Sequence, residues 1–151
     1  MRTSRPVLFV AVPALATALV AQCPYGTMLA TTSGAGCGTG LTVTATLTPA
    51  PCTLTLSLTG SGGSTTCTAT FLLALGVTSA TVPLPELGPA CTLLVQPDAV
   101  LLAPTAGFLL AIPPAVPAIT VHLQGAVWQV CSGYPPLGSF HLSPRTTLAL
   151  Q

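Results

Sequence analysis

The stretch LTVTATLTPAPCTLTLSLT (41–59) decides the fold of this chain. Apolar residues alternate with threonine or serine in both halves, at Leu41, Val43, Ala45 and Leu47, and again at Cys52, Leu54, Leu56 and Leu58. Alternation of this kind places one face of a strand in a core and the other face in water. The stretch therefore predicts two strands, 41–48 and 52–59.

Further short segments of the same character continue to the end of the chain. They predict strands over 66–75, 79–84, 91–95, 99–103, 107–112, 119–130, SFHLS (139–143) and TTLAL (146–150). Gly-rich or proline-rich turns separate these segments, and helical periodicity is absent outside the N-terminal stretch. The sequence predicts an all-β protein, an antiparallel β-sandwich of jelly-roll-like or immunoglobulin-like type, with a barrel as the alternative.

The N-terminus has the composition of an export signal. Arg2 and Arg5 precede an apolar stretch from Pro6 to Ala21, which predicts a secretory signal peptide over 1–21. This stretch is shorter than the roughly 20 residues that cross a bilayer, so no membrane span is expected after cleavage. The predicted organisation is a signal peptide (1–21), a Gly- and Cys-containing segment (22–40) and a β-sandwich domain (41–151).

Charge is nearly absent from the rest of the chain. Only Glu86, Asp98 and Arg145 carry formal charge after residue 21. One arginine without any lysine cannot neutralise a phosphate backbone, so nucleic acid is not an expected partner. No cofactor is expected either, because the chain has no phosphate-binding glycine loop followed by a helix.

Six cysteines follow the predicted signal peptide, at Cys23, Cys37, Cys52, Cys67, Cys91 and Cys131. An even number of cysteines in an exported chain predicts disulfides, here three, formed in an oxidising compartment. Zinc is the alternative, but the chain has no CxxC pair, so we expect no metal. The cysteine spacing leaves the connectivity open.

Groups for catalysis are few. A hydrolase would have to combine a serine with His122 or His141 and with Asp98 or Glu86, yet no G-x-S-x-G motif is present. We therefore expect no catalytic residue, and we interpret Asp98 as a turn residue whose carboxylate accepts backbone N–H groups. The histidines share the Thr- and Ser-bearing face of their strands, where solvated imidazoles are expected rather than a metal site.

One strand carries a candidate ligand-binding face. His122, Gln124 and Trp128 share one parity in the strand 119–130, so their side chains are expected on one side. An aromatic ring beside amide and imidazole groups is typical of a flat carbohydrate-binding face. A bulge near Gly125 would instead turn Trp128 into the core, and a buried structural tryptophan is the preferred interpretation.

Two functions remain as hypotheses. The first is a secreted, non-enzymatic β-sandwich with a structural or adhesive role in the cell envelope or extracellular matrix. Its basis is an uncharged surface and two segments, TLTLSL (53–58) and TATFLLAL (68–75), whose β-propensity without charge favours edge pairing between copies. The alternative is a carbohydrate-binding module. The expected partners are accordingly a second copy or a cell-surface polysaccharide.

The C-terminal part resembles a recurrent module of secreted planctomycete proteins. The resemblance is carried by GPACTLLVQPDAVLL (88–102), AIPPAVPAITVHLQGAV (111–127) and PLGSFHLSPRTTLAL (136–150). Cys91, Pro97, Asp98, Pro113, Gln124 and Ser143 occupy places that match the family pattern. Pro144 stands where the family has Asn, and His122 where it has an aromatic residue. The resemblance implies a secreted β domain and a disulfide between Cys37 and Cys91, and it implies no activity.

Overall fold

The structure is a computed structural model, and it describes residues 23, 25–38, 40–60, 67–113, 117–132 and 138–151. The predicted signal peptide lies outside these residues. The strands are β1 (Met28–Ser33), β2 (Thr42–Pro49), β3 (Cys52–Thr59), β4 (Cys67–Gly76), β5 (Thr78–Pro83), β6 (Thr92–Gln96), β7 (Ala99–Ala103), β8 (Gly107–Ala111), β9 (Ile119–Cys131), β10 (Ser139–Leu142) and β11 (Arg145–Leu150). No helix in this part of the chain is long and apolar enough to cross a membrane.

The strands form three antiparallel sheets. The main sheet has the order β1-β11-β9-β4-β7, and β10 pairs with β9 beside β11. The second sheet has the order β2-β3-β8, and β5 and β6 form a separate two-stranded ribbon. Strand β9 organises the main sheet because β4 follows one of its edges while β11 and β10 share the other.

The principal core lies between the main sheet and the β2-β3-β8 sheet. Its fully buried members are four leucines, two from β4 and β9 (Leu73, Leu123), one from β11 (Leu148) and one from β3 (Leu56). Full burial of such a side chain contributes about 2–3 kcal/mol. Gly125 allows the two sheets to approach, because a side chain there would occupy the space that Leu58 and Val43 fill.

The opposite face of the main sheet is covered by a third layer. The β5-β6 ribbon and the segment around Cys37 lie over it, with a second apolar cluster beneath them formed by Cys37, Cys91, Ala126 and Leu142. Ala126 lies on the outer face of β9, since it is opposite Leu72 and Leu142 in the neighbouring strands. The sheet is thus buried on both sides in its middle.

The structure confirms the prediction of an all-β, antiparallel sandwich with disulfides. Every strand that the sequence predicts is present, with bounds shifted by no more than one residue. The structure adds β1, which lies in the segment 22–40 and pairs with β11 along the edge of the main sheet. Its sequence, MLATTS, has little apolar alternation, so the period-two signal does not reveal it.

The disulfides are Cys23–Cys52, Cys37–Cys91 and Cys67–Cys131, and no cysteine is free. The Cys37–Cys91 pair is the one that the family resemblance implies. It connects the loop after β1 to the start of β6 and lies within the second apolar cluster. Three disulfides indicate an oxidising, extracytoplasmic location.

Candidate functional site

Gln124 holds the third layer to the main sheet. Its side chain is 1% exposed, and its Oε1 accepts a 2.8 Å hydrogen bond from the Leu94 backbone N–H of β6. Its Nε2 donates 3.0 Å hydrogen bonds to the backbone carbonyls of Thr92 and Ser143. The amide therefore satisfies three backbone groups of two separate segments. A side chain with these partners is structural and is not available to a ligand.

His122 lies two residues earlier on the same face of β9. A 3.0 Å hydrogen bond joins its Nδ1 to Thr147 Oγ1 on the neighbouring β11. Burial lowers the pKa of His122 below its usual value, and the positive charge of Arg145 lowers this pKa further. Arg145 itself donates hydrogen bonds from Nε and Nη2 to Ser33 Oγ on β1. The imidazole is thus neutral near pH 7.

We expect Arg145→Gln to raise the pKa of His122, because the substitution removes a neighbouring positive charge. In the parent protein the folded chain binds this proton less tightly than the unfolded chain does. The free energy of unfolding should therefore decrease as the pH falls through 6.5, the ordinary value for histidine. Titration of the His122 ring signals by NMR checks the first statement, and urea unfolding of the parent protein as a function of pH checks the second. An unchanged or lower midpoint in the Arg145→Gln variant would contradict the assigned role of Arg145.

Trp128 lies at the far end of the same face, beyond the third layer. Its side chain is 41% exposed, so the interpretation of a buried tryptophan is wrong. The β4–β9 register is continuous from Cys67 to Gly76, and no bulge near Gly125 turns the ring inward. The ring packs against Phe140 at a centroid distance of 6.1 Å with the planes tilted by 60°. Thr70 is the exposed neighbour of Trp128 on β4.

The three predicted ligand-binding residues therefore do not form one accessible surface. His122, Gln124 and Trp128 do share a face of β9, as the period-two pattern predicts. The third layer covers the middle of that face and buries Gln124, whereas Trp128 remains exposed at one end. The alternation indicates which side a residue faces, but not what packs against that side.

The two histidines do not approach each other. His122 is opposite Thr147, on the outer face of the main sheet, whereas His141 is opposite the buried Val127, on the inner face. The expectation that both lie on one wet face is wrong for this reason. Among the described residues, no group of three or more His, Cys, Asp or Glu side chains is arranged to hold a metal ion.

Asp98 is the turn residue that the sequence predicts. Its Oδ2 accepts a 2.9 Å hydrogen bond from the Val77 backbone N–H, and its own N–H donates to the Leu75 carbonyl at 2.8 Å. The other acid, Glu86, is exposed in the turn between β5 and β6. Among the described residues, no hydrogen bond joins Asp98 or Glu86 to a histidine.

An open groove of about 430 Å³ separates the N-terminal segment from β2. The described residues that line it include no acid, histidine or free thiol. They are Tyr25, Gly26, Thr27, Met28, Ala45, Thr46, Leu47 and Pro49. A general acid–base reaction needs a group that transfers protons near neutral pH. The described residues of the groove provide a concave, partly apolar surface but no group of this kind.

Several apolar side chains on the sheet edges are exposed, although the sequence pattern does not indicate it. Leu102 is 67% and Val100 52% exposed on β7, and Leu109 is 73% exposed on β8. The segments AVLLA and GFLLA read as buried strands because they lack polar residues. Their position at sheet edges follows from the strand order, which the local pattern does not encode.

The fold and this surface define a class of protein, a disulfide-stapled all-β domain of an oxidising compartment. Comparison of the chain with protein-family models, with curated proteins and with solved structures finds no match.

Proposed function

We propose that the protein is a secreted, non-enzymatic module with a structural or adhesive role in the cell envelope or extracellular matrix. The observation that carries this proposal is an almost uncharged surface with many exposed large apolar side chains. These are Leu29, Val77, Val82, Leu87, Val100, Leu102, Leu109, Trp128 and Val130. Exposed apolar surface of this kind favours association, and little charge repulsion opposes it.

The segments that carry association differ from those expected. TLTLSL lies in β3, between β2 and β8, and TATFLLAL lies in β4, between β9 and β7. Residues 53–57 of β3 and 71–75 of β4 already have a strand on each side, so these residues offer no edge to a second molecule. Among the described residues, 68–70 of β4 pair with β9 alone. Among the described residues, β1 and β7 border the main sheet and β2 and β8 border the second sheet, while both strands of the β5-β6 ribbon are edges. Association is therefore expected through edge strands rather than through β3 and the centre of β4.

Fractionation of the native cells tests the proposal. We expect the protein in the envelope or matrix fraction, retained through a high-salt wash and released by detergent or chaotrope. Salt screens ionic contacts, whereas chaotropes weaken apolar ones. Complete recovery of the protein in the culture medium, or its release by salt alone, would contradict a structural or adhesive role.

A second candidate function is carbohydrate binding, favoured by the exposure of Trp128. The ring lies beside Phe140 and Thr70 on three adjacent strands, which gives an aromatic platform with one hydroxyl neighbour. Sugars stack on such rings through their apolar faces. In this candidate site the sugar would contact Trp128 but not Gln124, because the side chain of Gln124 is buried.

Fluorescence of Trp128 tests the second candidate, because it is the single tryptophan of the chain. We expect acrylamide to quench the emission, and we expect a bound polysaccharide to protect it. Trp128→Ala should weaken binding, measured by calorimetry, at least about tenfold. Leu109→Ala, which alters an equally apolar position on the other sheet, should leave affinity unchanged. The candidate fails if no cell-surface polysaccharide protects the ring.

A further inference from the structure

Strand β7 is an uncharged, self-complementary sheet edge. The described residues give β7 one partner, β4, so its other side presents unpaired backbone groups. Unpaired groups at a sheet edge are a template for adding another strand, and proteins usually protect such edges with charge, proline or a bulge. The residues from Ala99 to Ala103 contain none of these.

We propose that β7 pairs antiparallel with β7 of a second copy about a two-fold axis at Leu101. This inference deepens the proposed function, on which it rests, by naming the partner and the surface. The sequence AVLLA is nearly the same in both directions. In this register Val100 lies opposite Leu102 of the second copy, and Ala99 lies opposite Ala103 of the second copy. A two-fold interface brings the same surface of both copies together, so that surface must be self-complementary.

The outer faces of the paired strands would be buried together. Val100 and Leu102 point away from the principal core, since they are opposite Ala74 and Leu72 on the outer face of β4. They are 52% and 67% exposed, respectively. Directly opposed apolar side chains stabilise an antiparallel pair by about 0.2–1 kcal/mol each. Pairing would thus cover the largest apolar side chains on this edge.

The neighbouring edge, β8, fits the same symmetry. Only residues 104–106 separate β7 from β8, so the two edges lie on the same side of the sandwich. The β8 sequence, GFLLA, places Phe108 opposite Leu110 of the second copy when the axis passes at Leu109. A two-fold axis that passes at both Leu101 and Leu109 would bring two apolar edges towards their copies, one in each sheet.

Charge does not oppose this pairing. Asp98 is the nearest formal charge to β7, and in the proposed register it lies opposite Pro104 of the second copy. Its carboxylate already accepts a hydrogen bond from the Val77 N–H. The two copies of Asp98 are at opposite ends of the strand pair, so they do not face each other.

The other edges are less suited to a second copy. On β2, the Val43 carbonyl accepts a 3.4 Å hydrogen bond from Thr146 Oγ1, and the Pro49 carbonyl accepts one from the Cys23 N–H. On β1, Ser33 is bonded to the cationic Arg145. These two edges already have partners within the chain or a charge beside them. In the ribbon, β5 has Pro83 and a register shift between Ser79 and Val82, and β6 is bonded to Gln124 through Thr92 and Leu94. The geometry favours β7.

Sedimentation equilibrium of the oxidised protein tests the inference. We expect the parent protein to dimerise and Val100→Lys/Leu102→Lys to weaken dimerisation at least about tenfold, because positions 100 and 102 would bring like charges together. Mixing this variant with Val100→Glu/Leu102→Glu should restore a dimer of one copy of each. The matched control Leu29→Lys/Thr31→Lys adds the same charge to the outer face of β1 and should dimerise like the parent.

Hydrogen exchange of the parent protein gives a test that needs no variant. Amides within 99–103 should exchange more slowly at concentrations above the dimer dissociation constant than below it. A parent protein that stays monomeric, a Val100→Lys/Leu102→Lys variant that still dimerises, or a dimer without protection at 99–103 would overturn the inference.

The outcomes separate the inference from the proposed function. A monomer that is nevertheless retained in the envelope fraction would overturn β7 pairing and leave the structural or adhesive role intact. A β7 dimer recovered entirely from the medium would overturn that role and leave the pairing intact.

Discussion

Gln124→Leu is expected to lower the free energy of unfolding by about 4 kcal/mol, since it removes the partner of three backbone groups. Leucine has nearly the same volume but neither donates nor accepts a hydrogen bond. The Leu94 N–H and the carbonyls of Thr92 and Ser143 would lose their bonds to Gln124, and of these bonds the one to Ser143 is buried and the other two are partly buried. Each buried polar group left unsatisfied costs about 1–3 kcal/mol.

Urea unfolding of the oxidised protein measures this effect. Gln96→Leu is the matched control, because Gln96 is exposed on β6, and its replacement should change the free energy of unfolding by less than about 0.5 kcal/mol. Equal effects of the two substitutions would show that Gln124 does not hold the third layer.

Cys37→Ala/Cys91→Ala is expected to lower the free energy of unfolding by about 4 kcal/mol, from the loop-closure entropy of a cross-link between residues 54 apart. The structural consequence should be concentrated in the third layer. This disulfide joins the loop after β1 to the start of β6, whereas Gln124 joins the middle of β6 to β9. Without the disulfide, the amide hydrogen bonds would be the main polar link holding the ribbon.

Hydrogen exchange followed by mass spectrometry locates this effect. Amides of β6 should exchange faster in Cys37→Ala/Cys91→Ala, while the centre of the β4–β9 pair remains protected. Cys67→Ala/Cys131→Ala is the control, because it removes a disulfide that closes a loop of similar length. This disulfide links β4 and β9, which are also joined by continuous strand pairing. If β6 amides respond equally to both double substitutions, the Cys37–Cys91 disulfide has no special role in holding the ribbon.

The strands of this protein are highly predictable because their alternation is strong. In β2 and β3 the apolar residues face the core, and cross-strand pairs of Thr or Ser cover the outside. Thr42 Oγ1 and Thr59 Oγ1, for example, are 2.8 Å apart. Turn residues separate the segments, so local sequence determines the bounds. Strand β1 is the exception, since its place is determined by pairing with β11.

The packing of the sheets is much less predictable. Alternation indicates that His122, Gln124 and Trp128 share one face, but a ribbon from a distant part of the chain decides that Gln124 is buried. The face of the strand that a residue occupies follows from the local sequence. The element that packs over that face is determined by the tertiary structure. The amide of Gln124, which stands between Leu123 and Gly125 in the middle of a largely buried strand, is the signal that points to a buried hydrogen-bonded role.

The sequence also does not indicate which strands lie at the edge of a sheet. Strands β4 and β7 are both rich in leucine and alanine, yet β4 is central and β7 is at the border of the sheet. The order of strands depends on long-range pairing, which apolar composition does not specify. For this reason the prediction of edge pairing through 53–58 and 68–75 is wrong for 53–57 and 71–75, which have a strand on each side.

Three specific disulfides hold this extracytoplasmic, three-layered β domain together. Their connectivity can be measured by peptide mapping of the native protein under non-reducing conditions, after thiol blocking at lysis. The structure predicts linked peptides containing Cys23 with Cys52, Cys37 with Cys91 and Cys67 with Cys131, and no blocked thiol. Blocked free thiols at these positions, or linkage of Cys37 or Cys91 to any other cysteine, would contradict it.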